Sequence, residues 1–299
     1  MHDRKNNQLK ESDTIMSECT HNCETCHSKC SERQGEMPPS RLDKIKHKLL
    51  VLSGKGGVGK STMAASLAVS LVKAGYKVAL LDVDFHGPSQ PTLFGLKDHR
   101  LDGDEEGINP AETASGVKLV SLGLLVDNSN AAVIWRGPAK IGVLKQLFEE
   151  VNWGDDLDYL VLDFPPGTGD EVLSACQMIP GDKQAVMITT PQEVSLADCR
   201  KCLDFCRQVN VPVLGIVENM SGFICPNCNT KHALFSSGGG QLLADVHGID
   251  LIAQVPMDPA FLQNCDNGKI AEGIEASPAV AAELASAVAA IKNATQKED

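Results

Sequence analysis

A chain of 299 residues with 42% apolar side chains is long enough to bury one large core or two small ones. Its formal net charge of -12 leaves no electrostatic footprint for a nucleic-acid partner, whose binding rests on neutralising phosphates with Lys and Arg. The longest apolar runs, such as residues 48–53 and 77–84, are strand-length and far short of the roughly 20 residues that span a bilayer, so no membrane partner is expected either.

The first 18 residues carry no apolar stretch of the secretory kind, which predicts a cytoplasmic location and reduced thiols. Residues 1–41 are polar, lack apolar periodicity and close on GEMPPSRL, where Pro38 and Pro39 mark a break. They read as a flexible arm carrying a four-cysteine metal module, ahead of one larger domain over residues 42–299. From Lys48 onward short β-rich runs alternate with helix-period segments, the pattern of an α/β fold with a mostly parallel sheet sandwiched by helices. Strands are expected at 48–53, 77–82, 117–122, 159–164, 184–190, 213–218 and 251–255. Helices are expected near 60–74, 138–151, 170–178, 193–208, 238–247 and 278–292, the last with Ser277 as N-cap and Pro278 at its first position.

GKGGVGKS, from Gly54 to Ser61, follows a strand and opens a helix, matching G-x-x-x-x-G-K-[ST] in the context that gives the pattern its meaning. Gly54, Gly56, Gly57 and Gly59, with Lys55 and Val58, supply backbone amides that converge on phosphate oxygens. The helix N-terminus adds positive potential, Lys60 reaches the β- and γ-phosphates, Ser61 ligates Mg²⁺ and Thr62 supports the phosphates nearby. The apolar strand YLVLD ends in Asp163, suited to holding Mg²⁺ through water. The strand LLDVD ends in Asp82 and Asp84, and ENMS places Asn219 after a strand on the far side of the sheet.

Lys55, the second lysine of K-G-G-x-G-K-[ST], marks the deviant Walker A class of P-loop NTPases and resembles MinD, ParA and the nitrogenase iron protein. That resemblance implies a homodimer sandwiching two ATP molecules, with Lys55 crossing to the partner's nucleotide as an arginine finger does. It also implies that Asp84 orients the attacking water, with Asp82 in support, and that Asn219 reads the adenine edge.

The 11 cysteines are an odd count, which argues against a disulfide framework. GFICPNCNTKH presents Cys225 and Cys228 as C-x2-C in a polar loop, and Zn²⁺ or an iron-sulfur cluster wants about four ligands. The set is completed either within the chain, with His232 or another cysteine making a zinc site, or by the same pair from a two-fold-related copy. A redox C-x2-C is the third reading.

Taken together, SGKGGVGKS, DVDFHGPS, WRGP, DFPPGTGDE, VENMSGFICPNC and GGG at residues 238–240 occur in the order seen in the Mrp/ApbC family of ATP-binding iron-sulfur carrier proteins, which residues 42–290 resemble. The resemblance implies a homodimer that holds a [4Fe-4S] cluster between its Cys225 and Cys228 pairs, hydrolyses ATP slowly and delivers the cluster to apo iron-sulfur proteins. A MinD- or ParA-like positioning ATPase and an ATP-coupled electron-transfer reductase are the alternatives. The first wants a basic DNA face, which the net charge disfavours, or a membrane-targeting helix, whose aromatic and basic faces the Ala-rich C-terminal segment lacks; the second wants cluster cysteines at separated positions.

Cys19, Cys23, Cys26 and Cys30 form a complete four-thiolate set, similar to the bacterial ferredoxin run without matching it. A second iron-sulfur cluster is the leading expectation there and zinc the alternative, with His21 and His27 inside the arm. Cys199, Cys202 and Cys206 fall on one face of the expected helix at 193–208, where burial as small apolar residues stands against a third metal site. Cys176 and Cys265 are isolated and read as structural.

Overall fold

Strand β1 (His47–Ser53) occupies the middle of a nine-stranded sheet in the computed structural model, which describes residues 40–85, 87–125, 137–225, 227–228 and 230–296. The other parallel strands are β2 (Val78–Asp82), β6 (Lys118–Ser121), β7 (Tyr159–Asp163), β8 (Lys183–Thr189), β9 (Val213–Ile224) and β11 (Leu251–Met257). They run in the order β6-β2-β7-β1-β8-β9-β11. Two short antiparallel additions, β5 (Ala111–Glu112) on β6 and β10 (Lys231–His232) on the far end of β9, complete the sheet. A separate ribbon pairs β3 (Gly103–Asp104) with β4 (Gly107–Ile108).

Alternation along the strands sorts their side chains into two cores. Leu49 and Val51 of β1, with Leu80, Val161, Val186 and Ile188 of its neighbours, point into a layer closed by α1 (Lys60–Lys73), α7 (Pro259–Asp266), α8 (Ile270–Ala276) and α9 (Pro278–Thr295). Leu50 and Leu52, with Leu81, Leu162 and Met187, face the opposite layer, closed by α3 (Gly137–Glu150), α4 (Asp170–Met178), α5 (Glu193–Gln208) and α6 (Gly239–His247). Strands covered on both faces need apolar residues at every position, which is why they read as continuous runs. Among the described residues no single helix is long and apolar enough to cross a membrane.

The expected strands and helices are all present, with three informative differences. β9 was expected to stop at Glu218 yet runs to Ile224; β11 and β10 both pair with it, and Met220 at φ 56° and a register shift against β11 absorb the irregularity. The short helix α2 (Gln90–Leu93) and helices α7 and α8 went unpredicted, although Asp258 caps α7 through the N–H groups of Ala260 and Phe261, ahead of Pro259. Ser277 does precede α9, but it makes no capping hydrogen bond and its hydroxyl is buried without a partner among the described residues. The four arm cysteines, Cys19, Cys23, Cys26 and Cys30, lie outside the described residues, as do Trp135 and Arg136.

The sheet places its chemistry at the carboxyl ends of the parallel strands. β1 sits where connections diverge, with β7 on one side and β8 on the other, and the loop leaving it therefore opens into a crevice rather than against a neighbour.

Candidate nucleotide site and cysteine loop

The loop from Gly54 to Gly59 leaves β1 and turns into α1. Gly57 and Gly59 hold φ of 81° and 78°, a left-handed geometry that a side chain would strain. At Gly54 a Cβ would stand 2.2 Å from the Asp198 carbonyl carbon, so this end of the loop is pressed onto the backbone of α5. α1 begins without a side-chain cap or an acidic residue in its first turn, leaving its N–H groups free to meet an anion. The resulting cleft of about 280 Å³ is lined by Lys55, Lys60, Ser61, Thr62 and Asp84 together with loop glycines and Pro166. Lys55 is exposed, whereas Lys60 is buried.

Beneath the cleft lies a buried polar cluster. The Lys60 ammonium forms an ion pair with Asp163 Oδ1 and donates to Ser61 Oγ at 3.2 Å. Asp163 is fully buried at the end of β7, and its Oδ2 accepts from Gln90 Nε2 at 2.7 Å. The same nitrogen donates to the Ser61 carbonyl at 3.0 Å. Asp82, at the end of β2, accepts from Ser121 Oγ at 2.9 Å and from the Asp84 N–H at 3.1 Å. Burial, with the Asp163 charge beside it, pushes the Asp82 carboxyl up to about 8. Asp82 thus acts as a bracket for the loop that carries Asp84. Asp84 itself is half-buried, faces the cleft and accepts from the Gly87 N–H at 3.2 Å.

The loop after β7 joins the same wall, the Gly167 N–H donating to the Ser53 carbonyl at 2.8 Å. Behind it, Lys140 pairs with Glu171 and lies 5.9 Å from the Phe85 ring centroid, tying α3 and α4 to the loop after β2.

Asn219, on β9, donates to the Val58 carbonyl at 2.9 Å, and a Cβ on Gly59 would meet that amide nitrogen at 2.3 Å. One of its two amide N–H groups is therefore engaged in shaping the phosphate loop. One residue earlier, buried Glu218 accepts from the Gly240 N–H at 2.6 Å and from Gln254 Nε2 at 3.0 Å, capping the start of α6. This explains GGG at 238–240: a Cβ on Gly240 would fall 2.8 Å from Glu218, and one on Gly239 would meet the Pro191 carbonyl at 2.7 Å.

Past the end of β9 the chain reaches Cys225, half-buried, and Cys228, exposed. Their sulfurs and a nitrogen of His232 on β10 lie within 4.8 Å of one another, three ligand atoms converging from a hairpin. Hydrogen bonds from Thr230, by side chain and backbone, with Cys225 and His232 also contributing, pull the Cys228 thiol down to about 6, so that it is largely thiolate at neutral pH. Cys199, Cys202 and Cys206 behave oppositely, all fully buried in the core beneath α5. Burial raises Cys199 to about 12, and Cys206 is pushed up by its hydrogen bond to Cys202 as well as by burial.

Gln90, Glu218 and Ser121 escaped sequence reasoning because each acts through a partner distant in sequence. Gln90 lies 73 positions from Asp163, Glu218 22 from Gly240, and Ser121 39 from Asp82. The only local trace was a lone polar residue between Ser89 and Pro91.

A phosphate loop at a sheet switch point, with a buried acid on the adjacent strand, defines a P-loop NTPase of α/β fold. The family model described as ParA, NUBPL iron-transfer P-loop NTPase matches residues 44–292, and the chain belongs to that family. It is 48% identical over 232 residues to a cytosolic Fe-S cluster assembly factor Nubp2 homolog of Anopheles gambiae, covering 76% of this chain and 89% of that one. An iron-sulfur cluster carrier protein of Saccharolobus solfataricus is 44% identical over 229 residues, 77% of each chain. Among solved structures, a nucleotide-binding protein of Archaeoglobus fulgidus in complex with ADP superposes with a TM-score of 0.69 at 41% identity, covering 78% of this chain and 90% of that one. The cell division ATPase MinD of Pyrococcus furiosus, at 22% identity and TM-score 0.59 over 83% of this chain and 99% of its own, shares the fold.

Proposed function

We propose that the protein is an ATP-hydrolysing iron-sulfur cluster scaffold and carrier that works as a homodimer, holding a [4Fe-4S] cluster between two Cys225 and Cys228 pairs and passing it to apoproteins. One observation carries the reading: β9 joins the two sites, with Asn219 bonded to the phosphate loop and Cys225 just beyond the strand's end. A change in the loop on nucleotide binding has a short path along one strand to the cysteines. Coupling of this kind requires only that the two nucleotide states hold the cluster differently.

In this reading the cluster is cargo, and a half-buried Cys225 beside an exposed Cys228 suits cargo that must leave. Among the described residues a single chain brings together Cys225, Cys228 and His232, one short of the usual four ligands, and a two-fold axis through the pair would supply four thiolates. The cradle fits ATP: Gly57 and Gly59 keep the loop open, Lys60 lies ready for the β- and γ-phosphates, and Lys55 is exposed where it could reach a partner's nucleotide. The residues also fit Mg²⁺, with the Ser61 hydroxyl and the Asp163 carboxylate as its ligands, directly and through water; bound there, the ion would neutralise phosphate charge. Asp84 faces the cleft from the side and would orient the attacking water. The first 41 residues would form a separate arm whose Cys19, Cys23, Cys26 and Cys30 hold a second cluster, or zinc. The protein would work in the cytoplasm, as the Nubp2 relative is named to do, without membrane or nucleic-acid partners.

His232 favours one rival, a zinc site of two thiolates and an imidazole within each chain. Iron, acid-labile sulfide and zinc measured on anaerobically reconstituted protein separate the two readings. The carrier predicts that Cys225→Ala with Cys228→Ala removes about two irons per protomer, half of a shared four-iron cluster, while leaving nucleotide binding intact. Zinc without sulfide at this pair would overturn the carrier reading.

A further inference from the structure

The side chain of Gln90 is fully buried under the phosphate loop, far from any surface role. Its Nε2 donates to Asp163 Oδ2 at 2.7 Å and to the Ser61 carbonyl at 3.0 Å. Both partners are acceptors, so the orientation of the amide is fixed by chemistry. Its Oε1 is buried and has no hydrogen-bond partner among the described residues. A buried acceptor left unpaired costs on the order of 1–3 kcal/mol. Glutamine at a fully buried position of a four-residue helix, between Ser89 and Pro91, is therefore a costly choice for packing alone.

The neighbouring ion pair shows what Gln90 can do. Asp163 has two described side-chain partners, Lys60 on Oδ1 and Gln90 on Oδ2. In the nucleotide reading of the cleft Lys60 turns toward phosphates, and a fully buried carboxylate then loses the cation that neutralises it. Gln90 is the partner that stays. It also grips the backbone of Ser61, whose hydroxyl belongs to the same metal site.

We propose that Gln90 is a positioning residue for the Mg²⁺–nucleotide complex: it would hold the Asp163 carboxylate in place for the metal when Lys60 leaves, and its unpaired Oε1 would be an acceptor for a metal-bound water. The proposal rests on the nucleotide reading above and assigns a role to a residue that touches neither cluster nor phosphate. It predicts that Gln90 matters for nucleotide held with Mg²⁺ and hardly at all for nucleotide held without it, since in the second case no metal-bound water is present to use Oε1 and no metal depends on Asp163.

The test is ADP affinity of the full-length chain, measured with a fluorescent ADP in Mg²⁺ and again in EDTA, for wild type and Gln90→Leu. Gln90→Met, unbranched and closer in length, serves as the second variant if leucine lowers the melting temperature. Affinity in EDTA should stay within about twofold, whereas the gain conferred by Mg²⁺ should fall about tenfold, the size of one hydrogen bond to a charged group. Mn²⁺ in place of Mg²⁺ gives an independent readout: its release from the protein–ADP complex, followed by electron paramagnetic resonance, should be correspondingly easier in the variants. Equal losses with and without the metal would show Gln90 to be a packing residue and overturn the proposal, as would an unchanged Mg²⁺ gain. If wild type bound no ADP in either buffer, the nucleotide reading itself would fall, a result distinct from both.

Discussion

C-x2-C occurs twice among the described residues, at Cys199–Cys202 and at Cys225–Cys228, and the two copies do opposite things. The first lies on one face of α5, fully buried in an apolar layer, where desolvation holds Cys199 protonated. The second lies in a hairpin loop, where hydrogen bonds from Thr230 and its neighbours stabilise the thiolate of Cys228. Spacing sets the separation of two sulfurs along the chain; backbone conformation and solvent decide whether they can ligate anything. A cysteine in a closed core behaves as a small hydrophobe, and the same residue beside donors at the surface is a ligand or nucleophile.

The sharpest way to break this contrast is alkylation of native, metal-free protein. At pH 7.5 Cys228 should react at least about a hundredfold faster than Cys199, Cys202 or Cys206, read residue by residue by mass spectrometry. The sign of the pH dependence follows from the depressed pKa: thiolate, the reactive form, is present above about 6 and is lost below it. The Cys228 rate should therefore be flat from pH 7 to 8 and fall by about tenfold per unit below 6. Rapid labelling of Cys199 or Cys206 at neutral pH would show that α5 is not closed.

Next in size is a stability comparison. Cys199→Ser puts a hydroxyl where no water reaches and should cost about 1–3 kcal/mol in urea unfolding. Cys228→Ser, in the exposed loop, should change stability by less than about 0.5 kcal/mol in the absence of metal. Equal costs would mean that the hairpin is itself part of the folding core.

The smallest expected effect belongs to His232. It is the last of the groups that lower Cys228, so His232→Ala should move the midpoint of the alkylation profile upward by less than removal of Thr230 does. The same variant should leave iron and sulfide content unchanged if four thiolates hold the cargo, and should abolish zinc binding if the imidazole is a ligand.

Much of the candidate nucleotide site was legible because its parts are local. Eight consecutive residues build the phosphate loop, the strand before it and the helix after it announce themselves by periodicity, and Asp163 stands at the end of an apolar run. The acidic ends of β2 and β7 could be matched to the loop because a parallel sheet brings the carboxyl ends of its strands together. What was not legible depends on contacts across the sheet. Asn219 bracing Val58, Gln90 beneath Asp163 and Glu218 capping α6 each join segments with no shared pattern.

The sequence by itself determined the seven parallel strands, six of the nine α-helices among the described residues, the phosphate-loop motif and the candidacy of both cysteine pairs, because propensity, periodicity and short motifs act over a few residues. Only the tertiary structure decided which C-x2-C is exposed, that His232 joins it, and that one strand ties the cysteine loop to the phosphate loop. Burial and hydrogen-bond partnership arise when distant segments meet, and no local spacing encodes which segments those will be.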